Sequence, residues 1–102
     1  MNKFLFSGMV GGEPEVKELQ KATLTKFNVR ITEEFTRENG ESGEVILWVN
    51  CEAWNKLGET CKNEIRKGDL CNFEGKIVTE KWETKDGRKF RYIVKLSGFK
   101  KI

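Results

Sequence analysis

Two tryptophans in the segment VILWVNCEAW, residues 45–54, are the side chains best suited to binding chemistry. In an extended strand, side chains alternate between the two faces, so Trp48 and Trp54 share one face with Asn50 and Glu52. Asparagine and glutamate would need buried partners if another layer of protein covered that face. The spacing therefore predicts a solvent-accessible face that carries two flat aromatic rings.

A third tryptophan, Trp82, also falls on the polar side of a strand pattern, and Phe35 lies at the rim of another. Basic residues stand within two positions of three of these aromatics: Lys56 beside Trp54, Lys81 beside Trp82, and Arg37 beside Phe35. Single-stranded nucleic acid needs this combination, because unpaired bases stack on aromatic rings while phosphates require positive charge. The alternative is that the indoles belong to a second core, since tryptophan is highly buried on average.

The composition predicts one small soluble domain that spans residues 1–102. Hydrophobic residues make up 37% of the chain and charged residues 34%, with one proline, which is typical of a globular protein with a single core. No apolar run is long enough to cross a membrane. The start, MNKFLFSGMVGG, is broken by glycines and has no small-residue cleavage site, so we interpret it as a strand and expect a cytoplasmic protein with no membrane partner.

The chain has three cysteines and no histidine. Cys51, Cys61 and Cys71 are ten residues apart at apolar positions, which favours buried free thiols over metal or redox chemistry. Without histidine, an enzyme would have to use carboxylates alone, such as Glu52 with Glu74. We therefore expect no catalysis, no metal, no cofactor and no small-molecule substrate.

Charge is segregated along the sequence, although the net charge is only +3. From residue 80 to the end there are eight basic residues against three acidic ones, whereas residues 33–44 carry five glutamates against Arg37 alone. A basic region with neighbouring aromatics suits an anionic partner, but most charge runs are only solvated loops.

Alternation of apolar residues predicts the first strands. Residues 3–10 form one strand, GGEPEV a bend, and residues 16–19 a short continuation. Phe27, Val29 and Ile31 then alternate with polar residues in a half-buried strand, followed by the loop RENGESGE. In the next strand the odd positions from Val45 to Ala53, which include Leu47, should face the core.

After residue 54 the period changes from two to four. Leu57, Cys61 and Ile65 predict a short amphipathic helix, with Asn55 as its cap and Gly68 as its stop. Alternation then resumes in two strands joined by a turn at Asp86 and Gly87. The inward positions of these strands are Cys71, Phe73, Gly75, Ile77, Tyr92, Val94 and Leu96.

This order of elements predicts an all-β fold. Five strands with one short helix between strands 3 and 4 match the OB-fold, a five-stranded partly open Greek-key barrel that binds oligonucleotides or oligosaccharides. A plain antiparallel sheet covered by one helix is the alternative.

Three stretches resemble the bacterial-type single-stranded DNA-binding protein family across nearly the whole chain: NKFLFSGMVGGEPEV, WVNCEAWNKLGE and RKGDLCNFEGKIVTEKWETKDGR. The resemblance implies an OB-fold barrel, usually assembled as a homotetramer around which single-stranded DNA wraps, with no sequence preference and no catalysis. It also implies functional residues by position. The residues that match the family's stacking aromatics are Trp48, Trp54, Trp82 and Phe35. The residues that match its phosphate contacts are Lys56, Lys67 and Lys81. We add Arg37 and Lys17 as further phosphate contacts.

Family members typically continue into a flexible linker and an acidic tail that recruits replication and repair proteins, whereas this sequence stops at GFKKI. We expect either a shortened chain or a tailless relative. A second hypothesis is therefore a tailless protein-interaction subunit of a replication-restart or phage recombination assembly, with the aromatics in a protein interface. Stacking does not read the sugar, so an RNA partner stays open as well.

Overall fold

The computed structural model describes all 102 residues. It contains six strands and one helix: β1 (Phe4–Val10), β2 (Glu15–Leu19), β3 (Ala22–Thr36), β4 (Ser42–Trp54), α1 (Asn55–Glu64), β5 (Leu70–Thr84) and β6 (Gly87–Lys101). The helix is neither long enough nor apolar enough to cross a bilayer.

Five of the six strands close into a barrel in the order β1, β5, β6, β4, β3, and β1 then pairs with β3. Most pairs are antiparallel, but β6 runs parallel to β4 where Val94 lies opposite Cys51. The helix lies between the third and fourth barrel strands. The predicted all-β OB-fold is therefore confirmed in strand count, helix position and closure.

The short strand β2 does not continue β1, contrary to the prediction. It pairs antiparallel with the start of β3, where Leu19 lies opposite Ala22. The bend at residues 11–14 turns the chain away from β1, and the tight Leu19–Ala22 reversal makes β2 and β3 a hairpin on the outer side of the barrel.

The barrel interior is filled by the residues whose alternation predicted it. Phe6 and Phe73 stack with ring centroids 5.2 Å apart, and Phe27 contacts Phe73 at 5.8 Å. Cys51, Cys61 and Cys71 are all buried and free, as expected. Burial raises the pKa of the Cys61 thiol to about 12, so it remains protonated and inert at neutral pH.

Helix α1 covers one end of the barrel through a close backbone approach at Gly58. A β-carbon on Gly58 would lie 2.6 Å from the Thr23 carbonyl oxygen, and the Thr25 hydroxyl donates a 2.7 Å hydrogen bond to the Gly58 carbonyl. Cys61, on the helix, and Ile65, directly after it, are fully buried. The predicted apolar stripe is confirmed as part of the core.

Both helix-boundary predictions are wrong in detail. Asn55 is the first helical residue, with a φ of 58°, while Trp54 occupies the cap position without a side-chain hydrogen bond. Asparagine tolerates this left-handed conformation, which lets β4 pass directly into α1. The helix ends at Glu64 because Ile65 is extended, and Gly68 serves the following turn instead, with a φ of 91°.

Two hairpins extend beyond the barrel. We call residues 31–47, at the β3–β4 turn, the acidic arm, and residues 77–92, at the β5–β6 turn, the basic arm. Strand pairing continues to Thr36–Ser42 in the first and to Thr84–Gly87 in the second. The predicted loop RENGESGE is therefore confirmed at residues 37–41, whereas residues 42–44 already belong to β4.

The arms overturn four predictions of core position. The side chains concerned keep the inward phase of their strands but are exposed: Val45, Leu47, Ile77 and Tyr92. Alternation assigns each of them to the correct side of its strand. They are exposed because the strands continue past the point where the barrel has an interior.

Candidate nucleic-acid interface

Trp48 lines a groove on the outer surface of β3 and β4. The groove has a volume of about 670 Å³, and its lining includes Gly11, Asn28, Trp48, Asn50, Glu52 and Arg91. Trp48 is 53% exposed, and its indole lies against Gly11, where a β-carbon would be only 2.4 Å from Cζ3. The ring is thus fixed on one side and open to a planar ligand on the other.

Trp54 shares the face of Trp48, as predicted, at the far end of β4. Its Nε1 donates a 3.2 Å hydrogen bond to Glu52 Oε1, and Lys26 Nζ lies 3.7 Å from Glu52 Oε2. The lysine offsets the charge of Glu52, so the half-buried indole is held in place without leaving an unpaired anion beside it. Six residues of strand separate the two indoles by about 20 Å.

Trp82 lies on the basic arm and is 43% exposed. The Arg91 guanidinium carbon lies 5.9 Å from the centre of the Trp82 ring, and Arg91 Nε donates a 3.0 Å hydrogen bond to Glu80. Arg91 also lines the Trp48 groove. Arg91 therefore contacts the Trp82 ring and also belongs to the wall of the groove that contains Trp48.

Phe35 is placed apart from the tryptophans. It lies opposite Gly43 in the acidic arm, while Trp48 lies opposite Arg30. Because five positions separate Gly43 from Trp48, Phe35 and Trp48 are on opposite faces of the hairpin. Phe35 is exposed, and the Arg37 guanidinium lies 5.4 Å from its ring centre.

Three of the predicted phosphate contacts lie near the Trp48–Trp54 face. Lys56 is exposed in the first turn of α1, two residues after Trp54. Lys17 lies opposite Leu24, which lies opposite Trp54, so Lys17 is in the same row of the sheet. The Lys67 backbone amide donates a 3.3 Å hydrogen bond to Glu13, a residue of the groove wall.

The other two predicted phosphate contacts are on the arms. Lys81 is exposed but pairs across the hairpin with Phe90, whereas Trp82 pairs with Lys89. Adjacent strand residues point to opposite faces, so Lys81 and Trp82 do not share one. Arg37 lies with Phe35 near the tip of the acidic arm.

Sequence reasoning missed two side chains that the fold brings near Trp48, Arg91 in the groove and Arg30 on the neighbouring strand. The sequence pattern marks Arg91 only as one of many cations near the end of the chain, and Arg30 only as a polar strand position. Arg30 lies directly across from Trp48, and its buried Nε has no hydrogen-bond partner within the chain. The signal available for Arg30 was its place on the polar side of β3, in register with the tryptophan.

Two aromatics of the basic arm were also missed. Phe90 and Tyr92 are 61% and 65% exposed, and their rings meet edge to face at 5.7 Å. They lie on the opposite face of the arm from Trp82. The alternative carboxylate pair is not supported, because Glu74 forms a 2.9 Å ion pair with Lys3 and lines a different groove from Glu52.

Barrel topology and groove together define an OB-fold protein with an open groove that contains Trp48 and both acidic and basic side chains. Comparison with known sequences then identifies the family. The Single-strand binding protein family matches residues 1–98, and the chain belongs to this family, as the resemblance in the sequence predicted.

Relatives with assigned names are similar over most of this chain. The "Single-stranded DNA-binding protein" of Neisseria meningitidis serogroup A is 32% identical over 88 residues, which are 85% of this chain and 51% of the relative. The protein of the same name from Xylella fastidiosa is 30% identical over 97 residues, 94% of this chain and 58% of the relative. The chain thus spans about half the length of the curated relatives it matches.

Solved structures share the fold. A Plasmodium falciparum SSB in complex with ssDNA superposes with a TM-score of 0.89 at 23% identity, covering 100% of this chain and 95% of that one. A deletion mutant of the single-stranded DNA binding protein from Thermus aquaticus gives 0.87 at 19% identity, covering 100% of this chain and 50% of that one. At these identities the likeness establishes the OB-fold.

Proposed function

We propose that this chain binds and protects single-stranded DNA during replication, recombination or repair, without sequence preference and without catalysis. The observation that carries the proposal is the pair of exposed indoles, Trp48 and Trp82, with Arg91 between them. The names of the relatives and the DNA bound to the Plasmodium neighbour support the same partner.

In the proposed mechanism, unpaired bases stack on Trp48, Trp54 and Trp82, each stack contributing about 1–3 kcal/mol. Phe35 is a further platform reached along the acidic arm. Phosphates contact the exposed cations around these rings: Lys17, Arg37, Lys56, Lys67, Lys81 and Arg91. The distance of about 20 Å between Trp48 and Trp54 exceeds the ~3.4 Å spacing of stacked nucleotides, so several nucleotides lie between the two rings.

We further propose that residues 1–102 form one DNA-binding domain and that copies assemble, with a homotetramer as the expected state and a dimer as the alternative. A tetramer would present several equivalent tracks, around which one DNA strand could wrap. The same proposal places the protein in the cytoplasm, associated with the nucleoid.

Alanine substitutions of the indoles test the stacking mechanism. Trp48→Ala, Trp54→Ala and Trp82→Ala should each weaken binding of a labelled oligothymidine by about 1–3 kcal/mol, measured by fluorescence anisotropy. The matched controls are the corresponding phenylalanine variants, which keep a stacking ring and should recover most of the affinity. Far-UV circular dichroism separates lost stacking from lost folding. Wild-type affinity in all three folded alanine variants would overturn the mechanism.

A protein-interaction subunit is the second candidate function. The exposure of Phe90 and Tyr92, outside the groove and on the opposite face from Trp82, favours it. A pull-down from nuclease-treated extract distinguishes the two functions, because contacts bridged by DNA disappear. Partners that persist after nuclease treatment and are lost in Phe90→Ala/Tyr92→Ala would support the interaction subunit.

A further inference from the structure

The two arms carry opposite charge. Five glutamates of the acidic arm stand against Arg37 alone, a net charge of −4, whereas the basic arm has five cations and three acids, a net charge of +2. Both arms extend beyond the barrel, so these charges are displayed on two separate projections of one molecule.

The charges of the acidic arm have no partners within the chain. None of its five glutamates takes part in the seven ion pairs of the structure, and neither do Lys81, Lys85 and Lys89 of the basic arm. Glu34 and Glu44 even lie directly opposite each other in the strand register. Like charges at directly opposed positions destabilise a hairpin, and a cation from outside the chain would relieve this repulsion.

Each arm also exposes apolar side chains next to its charges. The acidic arm presents Phe35, Val45, Ile46 and Leu47, and the basic arm presents Ile77, Trp82, Phe90 and Tyr92. Apolar groups surrounded by charge are typical of surfaces that bind another protein. Contact between the arms of two copies would bury both apolar sets and pair the unpartnered charges.

We propose that the acidic arm of one copy docks on the basic arm of a second copy. The two surfaces differ, so the contact is heterologous and extends from copy to copy as concentration rises. The acidic arm combines carboxylates with an aromatic ring, much as single-stranded DNA combines phosphates with bases. An acidic arm docked on the basic arm, which carries Trp82, competes with DNA for that surface. This competition rests on the proposed function, whereas the association of copies does not.

Sedimentation without DNA tests the association. The mass of the wild-type protein should grow with concentration at low salt and return to a constant value at ~1 M salt, where charges are screened beyond ~3 Å. Glu41→Lys/Glu44→Lys and Lys85→Glu/Lys89→Glu should each weaken the growth by about tenfold or more. A mixture of the two variants should regain association, because one retains the acidic arm and the other the basic arm.

The matched control is Glu59→Lys/Glu64→Lys on the exposed face of α1, which changes the net charge by the same +4 as Glu41→Lys/Glu44→Lys and should associate like wild type. A wild-type mass that is independent of concentration and salt overturns the proposal. So does an equal loss of growth in the control, or a mixture that fails to associate. Oligothymidine binding by each variant is measured separately, so failure of the DNA-binding function is recognised independently of the arm contact.

Discussion

The indole of Trp48 lies directly against Gly11, with no space between them for a β-carbon. Trp48 is near the middle of β4 and Gly11 is in the bend after β1, so the closed barrel brings the two together. The bend forms one wall of the groove and fixes the ring of the central aromatic. Gly11 is therefore a positioning residue for Trp48.

Gly11→Ala should displace the Trp48 indole, because the added methyl group would lie 2.4 Å from Cζ3. We expect weaker oligothymidine binding, by at most the ~1–3 kcal/mol of one lost stack, and a shifted tryptophan emission in the free protein. Gly12→Ala is the matched control, since a β-carbon there meets no atom within 4 Å. If Gly11→Ala and Gly12→Ala have the same DNA affinity and the same tryptophan emission, Gly11 does not position Trp48.

Arg91→Ala should weaken DNA binding and lower the salt dependence, because one phosphate contact is lost. The slope of log affinity against log salt should fall by about 0.7. Arg88→Ala is the control, since Arg88 is a highly exposed cation near the turn of the same arm. Arg91→Lys should recover only part of the affinity, because lysine cannot stack a planar group on Trp82. A larger loss of DNA affinity in Arg88→Ala than in Arg91→Ala would contradict the proposed role of Arg91 between the groove and the basic arm.

The buried thiols should make the protein sensitive to alkali. In the folded state the pKa of Cys61 is about 12, against 9.0 for an ordinary thiol, mainly because of burial. The unfolded chain therefore loses this proton first, so the stability present below pH 9.0 falls as the pH rises towards about 12. Urea unfolding across this range should show a steeper decline for wild type than for Cys61→Ala. If the free energies of unfolding of wild type and Cys61→Ala fall equally with pH, the alkali sensitivity does not come from Cys61.

Asp69 should make an opposite, acid-side contribution. Its carboxylate accepts a 2.8 Å hydrogen bond from the Arg66 amide and lies 3.1 Å from Lys101 Nζ; the hydrogen bond first, then the lysine, lowers the pKa of Asp69. The contribution to stability is present above the ordinary pKa of 3.8 and is lost as the pH falls through the lower folded value.

The variant Asp69→Asn tests this contribution. Its thermal midpoint should lie below that of wild type at neutral pH, by a few degrees at most, and the two midpoints should converge below pH 3.8. Asp86→Asn, at the turn of the basic arm, is the matched control and should follow wild type throughout. If the thermal midpoint of Asp69→Asn stays below that of wild type in acid, the effect of the substitution does not come from the charge of Asp69.

The sequence predicted the faces of the strands better than their lengths. Alternation placed Trp48 and Trp54 together correctly, because side-chain period depends only on local backbone geometry. It placed Val45 and Tyr92 in the core, because alternation does not reveal where a barrel ends and a projecting hairpin begins. Burial depends on which strands close around a side chain, and that is a long-range property.

The same distinction explains the site. The tryptophans were recognisable from their own strands, whereas the contact of Gly11 with Trp48 and the bridging position of Arg91 depend on barrel closure. The resemblance gives Phe35 a stacking role, but the structure places it on the opposite face of the β3–β4 hairpin from Trp48. Its role in DNA binding stays a prediction that Phe35→Ala would test.

Quenching of intrinsic tryptophan emission by oligothymidine, followed over a range of salt concentrations, tests the central claim most directly. If bases stack on the exposed indoles, emission should fall on titration to a defined stoichiometry, and the affinity should decrease steadily as salt rises. Emission that is unchanged at saturating oligothymidine and low salt would contradict the claim.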